Sequence, residues 1–222
     1  MLDFEAAIFD LDGTLLDSMD VWRQIDIDFL GRRGFDVPAD YIAAICSMSF
    51  RETAEYTVEY FNLDETPEDL MEEWFQMAID RYSTEVRLKP YAKEYLLFLK
   101  ERGIKLGTAT SLPRNLAEPA LKNNGVYHLF DAFTTTEEAG RSKEYPDVYL
   151  LAARKLGVEP GNCIVFEDIL PGIKAIRAAG MRPYGVYDKS SEHHQAEIKA
   201  MSEVYVRDFG QLLRMHQMQG DT

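Results

Sequence analysis

Asp10 and Asp12 stand one residue apart at the end of the apolar run "AAIFD", with Gly13 and Thr14 directly after them. Alone, the pair reads as a turn: Asp-Gly between apolar stretches is a strong hairpin signal, and an aspartate after a strand often caps the next helix. Polar groups close other apolar runs in the same way. Thr110 and Ser111 end "IKLGTATS", Glu167 and Asp168 end "CIVFED", and Lys143 lies in "GRSKEYPD", just before a helix start marked by Pro146. Together these residue types have a chemistry open to them. Carboxylates and water suit a hard divalent cation such as Mg2+. With a lysine, that cation offsets the charge of a phosphate monoester dianion, which otherwise repels an attacking carboxylate.

Such groups act together only if the fold gathers them. Short β-rich runs recur at "AAIFD", "IKLGTAT", "DAFTTT", "CIVFED", "RPYGVY" and "VYV", with helical patterns between most of the later ones. The alternation predicts an α/β fold, a doubly wound parallel sheet with a Rossmann-like core and helices on both faces. Ligands bind such sheets beyond the carboxyl ends of the strands, where the strand order reverses. Asp10, Asp12, Thr110, Ser111, Lys143, Glu167 and Asp168 all fall toward that edge, which favours a site over an isolated turn. Gly103 and Gly180 mark helix stops before strands. The interval 17–88 reads as helix after helix. It is expected to form a small all-helical cap domain inserted into a catalytic core of residues 1–16 and 89–222, with Trp22 and Trp74 in the cap's own core. The polar tail "QMQGDT" is expected to fray.

With 222 residues, 46% of them hydrophobic, the chain can bury a real core. No apolar run approaches the ~18 residues of a membrane span, and "MLDFEAAIFD" lacks the regions of a secretory signal, so a cytoplasmic protein without a membrane partner is expected. A net charge of -14 argues against a nucleic-acid partner, and a monomer is expected. Cys46 and Cys163 lie in unlike contexts and read as reduced thiols. His193 and His194 are adjacent rather than four apart, so they read as surface residues and not as a metal pair.

In order and spacing, "DLDGT", "GTATS", the lysine of "SKEYPD" and "FEDILPGIKAIRAAG" resemble the motifs of the haloacid dehalogenase superfamily, and the helical insert is similar to its first-position cap. The resemblance covers essentially the whole chain. It implies a Mg2+-dependent phosphoryl-transfer enzyme of the phosphoglycolate phosphatase and β-phosphoglucomutase branch, acting on a small phosphorylated metabolite. It further implies Asp10 as the nucleophile that forms an aspartyl-phosphate, and Asp12 as general acid and then base. Asp10 and Asp168 would ligate Mg2+ with the backbone carbonyl of Asp12, and Glu167 would act directly or through water. Thr110, Ser111 and the amides after them would hold phosphate oxygens, and Lys143 would neutralise charge on the nucleophile and phosphoryl group. Arg51, in "MSFRETAEY", is a candidate cap arginine for a second anionic group of the substrate; the alternative is a surface arginine.

The departures from the family pattern sort the reactions. Ile169 stands where a small or hydroxyl residue usually follows the Glu-Asp pair; the metal site is expected to tolerate it, with room for difference only in its outer surroundings. The histidine and lysine that mutase relatives carry in the cap are missing from "DSMDVW" and "ICSMSFR". Asp12 argues against dehalogenation, and a cap without lysine argues against Schiff-base phosphonate cleavage. A phosphatase is the leading reading, with a sugar-phosphate mutase and a non-catalytic phospholigand-binding protein as alternatives.

Overall fold

The computed structural model describes residues 2–218. The chain opens with β1 (Ala6–Phe9) and the two-residue β2 (Leu16–Asp17), then forms α1 (Met19–Arg32), α2 (Ala39–Ile45), α3 (Phe50–Phe61) and α4 (Pro67–Thr84). After β3 (Arg87–Leu88) come α5 (Ala92–Glu101), β4 (Lys105–Thr108), α6 (Arg114–Asn123), α7 (Thr136–Ala139) and α8 (Asp147–Leu156). The rest is β5 (Cys163–Glu167), α9 (Leu170–Ala178), β6 (Arg182–Val186), α10 (Gln195–Met201), β7 (Val204–Val206) and α11 (Phe209–Met218).

Every residue of β1 is apolar and fully buried, the pattern of a strand covered on both faces. It is flanked in a parallel sheet of order β4-β1-β5-β6-β7. Ala6 and Ile8 pack with α8 and α9 on one face, whereas Ala7 and Phe9 pack with α5, α6 and α11 on the other. The chain passes from β1 to β4 on one side and later to β5 on the other, so the order reverses at β1. Phe9 lies opposite both Thr108 and Phe166. This register brings the residues that follow β1, β4 and β5 to one edge.

"DAFTTT" is not a strand. Ala132 and Thr135 make only isolated bridges, to Gly107 and Thr110. The Thr135 hydroxyl instead accepts the Glu138 N–H in a capping box that turns the chain into α7, and this outweighs the β propensity of three threonines. The two strands of the ribbon β2–β3 pair antiparallel, Leu16 with Leu88 and Asp17 with Arg87, where the chain leaves the core and returns. Between them α1 to α4 pack on one another. Ser49 and Glu52 box the start of α3, and Thr66 and Asp69 box the start of α4. Leu70, Trp74, Ala78 and Tyr82, four residues apart, form the buried stripe of α4.

Of the polar tail, Gln217 and Met218 continue α11 rather than fray, and residues 219–222 lie outside the described residues. Among the described residues no helix is long and apolar enough to cross a membrane. Both cysteines are free, and His193 is exposed.

Candidate active site

Asp10 follows β1 directly, and its N–H is bound to the Phe166 carbonyl of the neighbouring β5 at 3.0 Å. The sheet therefore fixes the distance from Asp10 to Glu167 and Asp168. One carboxylate oxygen from each of these three residues lies within 4.8 Å of the others. Asp10 is 3%, Glu167 0% and Asp168 2% exposed, so all three charges are withdrawn from water. Lys143, itself buried, pairs with Asp10 and reaches Glu167 at 2.9 Å. Glu167 is held from all sides: Lys143 and the Tyr149 hydroxyl donate to Oε2, and the Asp168 and Ile169 amides donate to Oε1. Asp168 accepts Thr14 Oγ1–H at 2.7 Å and Ser191 Oγ–H at 3.2 Å.

Three carboxylates against one ammonium leave an excess of buried negative charge. Burial and the nearby Glu167 push Asp10 up to about 7, against the pull of Lys143, and the same two causes push Asp168 well above the carboxylate range. Burial opposes the charge of Lys143, yet Asp10 and Glu167 hold it above the ordinary lysine range. A divalent cation relieves this imbalance, and an all-oxygen donor set suits Mg2+. The site fits such an ion on its charge and on its donors.

The Asp12 carboxylate lies outside the metal-compatible group. Its Oδ1 accepts from Ser18 Oγ and from Tyr82 OH, each at 2.6 Å, and its Oδ2 accepts from Trp22 Nε1 at 3.3 Å. Burial raises Asp12 above the ordinary aspartate value, and the three hydrogen bonds pull the other way. Trp22 is partly buried and packs against the core, as expected, but its indole also reaches the site. One turn after Ser18, it lies on the face of α1 that meets the first loop, whereas Trp74 is buried. The Thr110 hydroxyl accepts the Leu112 N–H at 3.0 Å and so shapes the loop after β4, while Ser111 Oγ is buried without a protein partner among the described residues. Pro113, two residues beyond Ser111, occupies the N-cap position of α6. The loop between α2 and α3 closes over Lys143: the Ser47 carbonyl accepts the Lys143 N–H at 3.0 Å, and Ser47 Oγ donates to Glu144 at 3.1 Å.

Arg51 is not gathered with the others. Its guanidinium is paired with Glu68 at 2.6 Å on the outer surface of the cap, with 47% of the side chain exposed. Ser49 caps α3, so Phe50 is its first residue and Arg51 its second, roughly 100° further round the helix. Phe50 takes the inward direction, with its ring 5.9 Å from that of Trp22 and 5.6 Å from that of Trp74.

The sequence model of the haloacid dehalogenase-like hydrolases matches residues 4–180. The chain belongs to this family. It is 30% identical to validoxylamine A 7'-phosphate phosphatase of Streptomyces hygroscopicus subsp. limoneus, over 96% of this chain and 98% of the relative. It is 31% identical to hexitol phosphatase B of Escherichia coli (strain K12), over 80% and 81% of the two chains. Among solved structures, β-phosphoglucomutase of Clostridium difficile superposes with a TM-score of 0.80 and 25% identity, covering 94% of this chain and 93% of that one. The chain is an enzyme, a haloacid dehalogenase-like phosphoric monoester hydrolase.

Several residues that build this hydrolase's site carry no sequence signal. Tyr149 reaches Glu167 from α8, Ser191 reaches Asp168 from the loop after β6, and Tyr82 reaches Asp12 from the last turn of α4. Each contact spans 18 to 70 residues of sequence and exists only because of how the elements pack. Thr14 and Ser18, which hold Asp168 and Asp12, lie in or just after the "DLDGT" motif.

Proposed function

We propose that this hydrolase cleaves phosphate monoesters of small neutral polyols or sugars through an aspartyl-phosphate on Asp10, with Mg2+ held by Asp10, Asp168, the Asp12 carbonyl and Glu167. When bound, the ion supplies positive charge against the phosphoryl oxygens. Asp10 Oδ attacks phosphorus, and its new O–P bond forms as the ester P–O bond breaks. Asp12, carrying a proton, passes it to the departing alkoxide. Water then attacks the same phosphorus while Asp12 takes back a proton, the bond to Asp10 breaks, and inorganic phosphate leaves. Both carboxyl groups end in their starting state. Lys143 holds Asp10 in place and offsets its charge, while Thr110, Ser111 and the loop amides hold phosphoryl oxygens.

The observation that carries this reading is the buried set of Asp10, Glu167 and Asp168 around Lys143, with the Asp12 carboxylate beside it. A neutral leaving group is supported by the cap, where residues 17–88 contain neither lysine nor histidine and, of the arginines, Arg32, Arg33 and Arg51 are paired with Glu73, Glu65 and Glu68. The name of one relative, hexitol phosphatase B, agrees with that class. A panel of phosphate monoesters assayed with and without Mg2+ tests the proposal. Asp10→Asn should abolish turnover in a folded protein, and Asp12→Asn should slow it by about 10²–10⁴-fold. Turnover retained by Asp10→Asn overturns the mechanism. With a hexose phosphate the expected product is free phosphate, and isomerisation would restore the mutase reading.

A further inference from the structure

We infer that Tyr82, with Trp22, is a positioning residue through which the cap aims Asp12. The inference rests on the proposed role of Asp12 as acid and base. Asp12 is partly exposed and sits on the short turn after β1, where the backbone alone does not fix a carboxyl rotamer. Both of its oxygens are held by neighbours, and two of the three donors belong to cap helices: Trp22 to α1 and Tyr82 to α4. Tyr82 is fully buried and ends the packed stripe of α4, so its hydroxyl position is set by the core of the cap. Its ring lies 6.0 Å from that of Trp22, and Trp22 in turn lies against Phe50. The grip on Asp12 is thus an extension of cap packing.

The donor types matter as well. A hydroxyl donates to a carboxylate and turns to accept from a carboxylic acid, so Tyr82 and Ser18 can hold Oδ1 in both protonation states that the reaction needs. An indole N–H only donates, which suits the oxygen that does not carry the proton. This arrangement lets one carboxyl group act in both half-reactions without losing its anchor. It also makes Asp12 competent only while α1 and α4 are seated on the core.

The test uses a leaving group that needs no proton. p-Nitrophenolate is stable at neutral pH, whereas an alkoxide is not, so only the alkyl ester depends on Asp12 when the ester bond breaks. In Tyr82→Phe, the first turnover of a hexitol phosphate should slow about tenfold or more, as expected for a lost hydrogen bond to a charged group. The first-turnover burst of p-nitrophenol from p-nitrophenyl phosphate should keep its rate. Equal slowing with both esters, or with neither, overturns the inference. The two tryptophans give a readout independent of turnover. Trp22 Nε1–H is bound to Asp12 and Trp74 Nε1–H has no partner among the described residues, so in nitrogen–proton correlation spectra Asp12→Asn and Tyr82→Phe should shift the Trp22 signal and leave that of Trp74 in place. An unmoved Trp22 signal in both variants overturns the grip itself. If the unaltered enzyme turned over neither ester, the phosphatase reading and the positioning role of Tyr82 in turnover would fail together, while the indole signals would still report the contact.

Discussion

Gly13 shows how tightly single atoms are specified at this site. Its φ is +78°, and a Cβ placed on it would lie 2.7 Å from Asp168 Oδ2. Two costs therefore meet in Gly13→Ala: an L residue in left-handed backbone, roughly 1–2 kcal/mol, and displacement of a carboxylate proposed to ligate the metal. The expected outcome is a lower melting temperature together with a weaker apparent Mg2+ affinity, read from activity against Mg2+ concentration. A variant that melted earlier but kept its Mg2+ dependence would show that the close approach to Asp168 is relieved elsewhere. Gly172 stands in the same relation to Glu167, with its Cβ position 2.7 Å from Glu167 Cγ. The two differ in how far the sequence announces them. Gly13 sits inside "DLDGT", where a close turn is the natural reading, whereas Gly172 looks like an ordinary helical residue until α9 is placed against the end of β5. The same holds for Ser191, which is 23 residues from Asp168 and reaches it only because β6 lies next to β5.

Helix phase decides what the cap shows to the substrate. The start of α3 is legible in the sequence from Ser49 and Glu52, as that of α4 is from Thr66, Pro67 and Asp69. Which side of α3 faces the core is not, because that depends on how α1 and α4 pack against it, and Arg51 and Phe50 are neighbours in the chain but lie on different sides of the helix. The β-rich look of "DAFTTT" misled for a related reason, since the capping of α7 by Thr135 is a local hydrogen bond that residue propensities do not report. For Arg51 the consequence is measurable. A surface ion pair such as Arg51–Glu68 contributes about 0–1 kcal/mol, and it holds the guanidinium at the exposed face of the cap. Arg51→Ala should therefore change kcat/KM by less than about twofold with a hexitol phosphate and with a hexose bisphosphate alike. Phe50→Arg should instead lower the melting temperature, because it drives an unpaired guanidinium among the rings of Trp22 and Trp74. A selective loss of bisphosphate turnover in Arg51→Ala would show that the arginine swings inward when substrate binds.

Over the whole molecule, the buried carboxylates and the net charge of -14 act in the same direction. Asp10 is raised from 3.8 to about 7 in the folded, metal-free chain, and Asp168 is raised as well. Between these limits the folded state binds more protons than the unfolded state, so the stability of the metal-free protein falls as pH rises from about 4 through 7. Self-repulsion of the acidic surface adds to that fall. Salt separates the two contributions, because surface repulsion is screened within about 8 Å at physiological ionic strength whereas buried pairs are screened far less. Melting curves of the chelator-treated protein at pH 5 and pH 7.5 should therefore show a lower melting temperature at pH 7.5, only partly restored by monovalent salt. Mg2+ should restore the remainder at pH 7.5 and do much less at pH 5, where the ion must compete with protons for Asp10 and Asp168. In Asp10→Asn the buried excess of charge is reduced, so the salt-resistant part of the pH dependence and the stabilisation by Mg2+ should shrink together. A Mg2+ effect that survived Asp10→Asn unchanged would place the ion elsewhere on the acidic surface. A melting temperature that rose from pH 5 to pH 7.5 in the metal-free protein would mean that Lys143 and the hydrogen bonds to Glu167 and Asp168 outweigh the repulsion among the three carboxylates.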